Sequence, residues 1–143
     1  MPEHLNCRGF SKSPPINMKG YTRQENLRKQ AQHLQKRFTE EARNSQGFTM
    51  DYLGNLVTPE TGYAVGICPA HPDDEVEMWD FVVTNDTRAS TNGGRQYYLG
   101  YWEGFTDKVL IIDNLCVAIN NAREYDQEAI YDFANTEVIW ITP

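Results

Sequence analysis

His71-Pro72-Asp73-Asp74-Glu75 puts one imidazole and three carboxylates within five residues. These are donor types that hold a zinc ion, beside acids able to take a proton from a metal-bound water. A catalytic zinc takes about three protein ligands and keeps one position open. The rest of the chain adds little to that chemistry. The only other histidines are His4 and His33, and none follows His71. The Ser and Thr residues between Thr84 and Thr142 therefore have no nearby His base in sequence, so a nucleophilic triad is not indicated. Cys7, Cys68 and Cys116 are far apart, form no paired motif and favour a reducing compartment. Cys68 and Cys116 read as small core residues.

The pentapeptide resembles the His-Pro-Asp-Asp-Glu signature of the zinc-dependent N-acetylglucosaminyl deacetylases (LmbE-like enzymes). The resemblance implies that His71 and Asp74 are zinc ligands and that Asp73 is the general base toward the bound water. The apolar run Tyr63–Cys68 ahead of it also fits, because the family motif follows a strand. The chain departs from the pattern elsewhere. The family draws its third ligand from a downstream His, and glycines follow its motif; here the next residues are Val76-Glu77-Met78-Trp79. The family domain is also much longer and carries the motif near its start. Without zinc, the segment reads as a helix start. Pro72 is suited to the first turn, and Asp73, Asp74 and Glu75 sit at its positive end.

Other chemistry-bearing groups are more scattered. Glu103, Asp107, Asp113, Asp126, Asp132 and Glu137 offer carboxylates for glycoside-type catalysis, and the plainer expectation places them at the surface, on strand ends and turns. Tyr97, Tyr98, Tyr101 and Trp102 would suit a stacking platform. With few basic residues nearby, core and edge packing is the expectation for them. His33 is expected to face solvent.

The elements that must position these groups follow from periodicity. Residues 1–20, with Pro2, Pro14 and Pro15, read as an arm without regular structure. Thr22-Arg-Gln-Glu25 is a capping box, and Leu27, Ala31, Leu34 and Phe38 form one apolar stripe, predicting a basic amphipathic helix over 22–45. It is expected to end in a left-handed cap near Asn44–Gly47. Strands are expected at 48–52 and 63–68. A helix is expected over 73–83 with Val76, Trp79, Val82 and Val83 on one face; a strand over 78–83 competes with it. A polar loop should span 85–95. Two strands, 96–104 and 107–113, form a hairpin; a helix runs from Leu115 to Ala122; two further strands, 127–133 and 137–142, close the chain. The order α-β-β-α-β-β-α-β-β places hairpins between helices. It predicts a single α+β domain over 21–143, with a largely antiparallel sheet covered by helices on one face.

The length, 143 residues, suits one domain with a core. No apolar run is long enough for a transmembrane helix and no signal segment is visible, so a cytoplasmic protein is expected. The net charge of −7 is unevenly spread. Residues 1–50 hold nine Lys/Arg against four Asp/Glu, and residues 51–143 hold four against sixteen. An acidic body repels nucleic acid and attracts basic surfaces. The C-terminal stretch, with Gly100 and Trp102, Asp113, Ala118 and Ala122, then Gln127, Ala129, Ile130 and Asp132, resembles the end of small uncharacterised phage and mobile-element proteins. Thr61-Gly62-Tyr63-Ala64-Val65 resembles their opening strand. The resemblance implies a phage-like origin and carries no activity. Together these features favour a non-enzymatic acidic binding protein without cofactor or metal, acting on a basic partner surface such as a host nuclease or defence protein. Asp73, Asp74, Glu75, Glu77 and Asp80 are the expected contact patch. A zinc-dependent hydrolase using His71, Asp73 and Asp74, and a virion or scaffold component, are the alternatives.

Overall fold

Thr22 starts the first helix, α1 (Arg23–Asn44), in the computed structural model, which describes residues 22–91 and 94–142. The segment 1–20 lies outside the described residues. The Thr22 hydroxyl accepts from the Glu25 amide while the Glu25 carboxylate accepts from the Thr22 amide, at 3.0 and 2.9 Å. This reciprocal pair satisfies donors that the first turn leaves free. Leu27, Ala31, Leu34 and Phe38 are all buried, so the apolar stripe is the face that docks. The helix stops where expected, but its cap Ser45 is extended rather than left-handed. The Ser45 hydroxyl, bonded to the Gly47 backbone, turns the chain directly into a strand.

Six strands follow, interleaved with two more helices: β1 (Gly47–Met50), β2 (Tyr63–Pro69), α2 (Glu75–Ala89), β3 (Tyr98–Trp102), β4 (Phe105–Ile112), α3 (Leu115–Glu124), β5 (Ala129–Asp132) and β6 (Glu137–Trp140). They form one sheet in the order β1-β3-β4-β2-β5-β6, antiparallel at every pairing, and it curls into a half-barrel. The chain is thus a single α+β domain with an antiparallel sheet. One expected hairpin is absent. β1 pairs with β3, and β2 lies between β4 and β5. The twelve residues that join β1 to β2 instead fold back on β1 through a Met50–Leu56 bridge and a Val57 amide to Thr49 carbonyl bond.

The β3–β4 turn is two residues, Glu103-Gly104, both with positive φ (47° and 93°). Both central positions of the I′-type turns that suit tight hairpins need such angles. Phe105 and Thr106, expected in the connection, therefore belong to β4 and pair with Trp102 and Tyr101.

Side chains alternate across a strand, and here the alternation separates a face packed against helices from an open one. Met50, Leu99, Tyr101 and Phe48 point to α1 and α2, meeting Phe38, Met78, Phe81 and Val82. Val65, Ile67, Leu110, Ile112 and Ile130 point to Ala118 and Ala122 of α3. All three helices cover this one face. Phe38, Phe48 and Tyr101 form an aromatic cluster with ring centroids 5.0 to 5.8 Å apart.

α2 departs most from expectation. It is a helix, not the competing strand, and it runs six residues past Val83 into the segment expected to be loop. Two polar residues hold that extension. Asn85 is fully buried, donating to the Phe81 carbonyl and accepting from the Tyr97 amide at 2.7 Å. Asp86 pairs with Arg23 of α1 at 2.6 Å. The buried stripe is Met78, Phe81, Val82 and Asn85 rather than one containing Val76, which is exposed. Trp79 is half-buried beneath the Arg28 guanidinium of α1.

α1 also clamps two loops, through Gln30 to the Tyr52 carbonyl and Gln35 to the Pro72 carbonyl. Leu34→Ala, at a fully buried position, is therefore expected to cost about 2–5 kcal/mol. Trp140→Ala, on the uncovered face, should shift stability by less than about 1 kcal/mol. Urea unfolding followed by far-UV circular dichroism measures both; an unchanged Leu34→Ala midpoint would mean that α1 is not part of the core.

Candidate functional site

The pentapeptide folds as a turn into α2. Asp74, not Pro72, is the cap: its Oδ1 accepts from the Val76 and Glu77 amides at 2.9 and 3.0 Å. The Asp74 amide donates to the His71 carbonyl, closing the turn. Glu77 reaches back from the first turn, with Oε2 accepting from the His71 amide at 2.8 Å and Oε1 2.9 Å from His71 Nδ1. That hydrogen bond, with the Glu77 charge, holds the exposed His71 above the ordinary imidazole range. The residues expected to contact a partner thus divide. Asp74 and Glu77 are occupied by the backbone and by His71, whereas Asp73 and Glu75 stand exposed. Asp80 is only partly exposed. As for a metal, Asp74 and His71 turn to other partners, and no three His, Cys, Asp or Glu side chains gather to hold an ion among the described residues. His33 is exposed beside Gly54.

The opposite face of the sheet carries a different site. Where helices cover one side, the other opens into a hollow of about 1070 Å³ whose lining extends from β1 to β6. Its floor has little side chain. Gly47, Gly66 and Gly100, with Ala64 and Ala129, occupy strand positions that point into it. Interior strand glycines lose packing and are found where a ligand or another backbone comes close. Its rim is aromatic. Trp102, Phe105 and Trp140 are 49%, 77% and 71% exposed, and Tyr131 stands edge-on to Phe133 with centroids 5.4 Å apart. Isolated exposed apolar residues are ordinary; a cluster of them around one concavity marks a binding surface.

Charge is sorted across the same sheet. Asp107 and Lys108 are neighbours in β4 and therefore point to opposite faces. Lys108 lies over the rings of Phe81 and Tyr97 on the helix side, while Asp107 lines the hollow. Among the described residues the charged groups lining the hollow are Glu41, Glu103 and Asp107; Arg37 meets Glu41 at 3.8 Å along α1, and no Lys, Arg or His is itself part of the lining. Asp107 is half-buried, and burial alone pushes its carboxyl above the ordinary carboxylate range. No hydrogen bond or ion pair reaches this carboxylate among the described residues.

Several sequence expectations change here. Asp107 is not a surface acid, and Asp132 is 4% exposed, capping the β5–β6 turn by accepting from the Ala134 amide and the Asn135 side chain. Cys116 is exposed rather than in the core; Cys68 is half-buried, and burial raises its thiol. Tyr101 packs in the core as expected, but Trp102 belongs to the rim of the hollow. Sequence reasoning missed the hollow altogether. Its signal was glycine and alanine in alternate positions of strands otherwise rich in large residues. No helix among the described residues is long and apolar enough to cross a membrane.

Comparison with known proteins adds no relative: no family model matches, and no curated protein or solved structure gives a significant match.

Two measurements separate the roles of these acids. Asp74→Ala should cost about 0.5–2 kcal/mol through loss of the cap, while Asp73→Ala should change stability by less than about 0.5 kcal/mol; denaturant titration of both decides it. For Asp107, the folded state binds the proton more tightly than the unfolded chain does, so stability is lost as pH rises through the carboxylate range. Asp107→Asn is therefore expected to melt above the wild type at neutral pH and level with it in acid. A lower melting temperature at neutral pH would mean that the carboxylate is held by a favourable partner.

Proposed function

We propose that this chain is a non-enzymatic acidic binding protein that takes a basic segment of a partner protein into the hollow of its sheet. The observation that carries the reading is the composition of that hollow: an apolar floor of glycine and alanine with Val109 and Val138, an aromatic rim, and acids as the charged groups among its described lining residues. A surface of this kind attracts cations and offers rings for cation–π contact and area for apolar burial.

The shape favours a polypeptide over a compact ligand. Five strand spacings of about 4.8 Å give an arc of roughly 24 Å, the reach of about seven extended residues. The hollow is open along that length and is at the upper end of small-molecule site volumes, roughly 300–1,000 Å³.

A basic segment with apolar neighbours is common on proteins that hold nucleic acid. The proposed partner is therefore a nucleic-acid-binding host protein, such as a nuclease or defence protein, whose basic surface is occupied and so inhibited. A phage or mobile-element origin is supported by the C-terminal likeness at Gly100, Trp102, Asp113 and Gln127 and is part of the same proposal. The acidic start of α2, with Asp73 and Glu75 exposed, extends the negative field that draws a basic partner in, while the hollow makes the close contact.

The test uses immobilised peptides of about ten residues in which apolar residues alternate with Lys/Arg, with Asp/Glu, or with Ser. The basic set should be retained, and raising salt from about 50 to about 500 mM should weaken it severalfold. Ala64→Arg, a cation on the floor, should abolish retention; Glu124→Arg, exposed at the end of α3 and outside the lining of the hollow, should leave it within about twofold. Equal retention of acidic or neutral peptides, or indifference to Ala64→Arg, would overturn the assignment.

A further inference from the structure

The hollow contains one place where polar groups converge. A Cβ added at Gly66 would come within 2.7 Å of Gln127 Oε1 and 3.5 Å of Asp107 Oδ2. Gln127 Oε1 therefore lies over Gly66, in the room a side chain there would need, and the two oxygens are at most about 6 Å apart, so that a single nitrogen entering from the hollow at about 2.9 Å can reach both or nearly both. The space exists because glycines flank it. Gly100 is the β3 partner of Asp107, and Gly66 sits diagonally across β2. Val109, on the same face, is the β2 partner of Gly66 and would meet a Cβ on Gly100 at 3.0 Å, so this floor has no room for a larger residue without repacking.

The amide of Gln127 has a defined direction. Its Nε2 donates to the Tyr125 carbonyl at 3.3 Å, so Oε1 is the end that faces Gly66. Its own amide is tied to the Ala122 carbonyl at 2.8 Å, at the end of α3. Both groups facing the space are thus acceptors, one of them a half-buried carboxylate with no cation or donor among the described residues. An unpaired half-buried carboxylate costs folding energy. A cationic ligand side chain would offset that cost on binding.

We infer that Asp107 and the Gln127 side-chain oxygen, which lies over Gly66, form the anchor of the hollow, taking one lysine or arginine side chain of the bound partner segment between them. The inference rests on the hollow being the partner site and names what it selects. The aromatic rim covers the stem of that side chain and the apolar residues next to it. The partner is therefore read at one position by charge and at its neighbours by apolar contact, rather than by overall basicity.

The decisive experiment is a double-mutant cycle by titration calorimetry on a retained peptide from the basic–apolar set, with one Lys or Arg at a time replaced by norleucine or citrulline. At one position only, the replacement should weaken binding to the wild type by at least about tenfold, and binding to Asp107→Asn by less than about twofold. Comparing Lys with Arg at that position tells which cation the space prefers. Gln127→Leu should weaken the same contact, and melting curves confirm that both variants are folded. If every cation contributes alike and Asp107→Asn binds as the wild type does, the anchor is wrong; if Ala64→Arg still abolishes binding in that case, the hollow remains the partner site. If Ala64→Arg also binds normally, both fall.

Discussion

The molecule depends on one asymmetry: among the described residues, three helices cover one face of a six-stranded sheet and none covers the other. A strand sends alternate residues to opposite faces, so each strand meets two environments. On the helix side the residues are Met50, Leu99, Val65, Ile67, Leu110 and Ile130, and they make the core. On the open side Gly47, Gly66, Gly100, Ala64 and Ala129 leave the backbone bare, and the curl of the sheet turns that bareness into a hollow. Stability therefore comes from one face, and the other is free to be shaped for contact.

The same alternation places charge. Lys108 spends its charge against aromatic rings beneath the helices, and Asp107, one residue away, keeps its charge in the hollow without a partner among the described residues. A half-buried acid raised by burial works against folding and for binding a cation, a balance often found where sites are prepared for a ligand. The acids at the start of α2 behave differently. Asp74 caps the helix and Glu77 holds His71, so much of that cluster is committed to local structure.

The legible parts of the sequence were those set by local physics. The capping box at Thr22 and the stripe Leu27, Ala31, Leu34 and Phe38 predicted α1 because both the cap and its burial lie within one helix. The α+β class with an antiparallel sheet was legible from the element order. The end of α2 was not, because Asn85 and Asp86 read as loop residues until Tyr97 and Arg23 supply their partners from elsewhere. Asp107 read as an acid at a strand end because the turn at Glu103-Gly104 is tighter than it looked, which places Asp107 two residues inside β4. The hollow was hidden for a larger reason. Small residues in a strand look like poor packing until the strand order places Gly100, Gly66 and Ala129 on one uncovered surface.

The most direct measurement is amide chemical-shift mapping of the protein titrated with a basic–apolar peptide. The shifts should concentrate at Gly66, Gly100, Asp107 and Gln127 and at the indole N–H groups of Trp102 and Trp140, with little change along α2. Shifts confined to the segment from Asp73 to Asp80, with the hollow silent, would contradict the account.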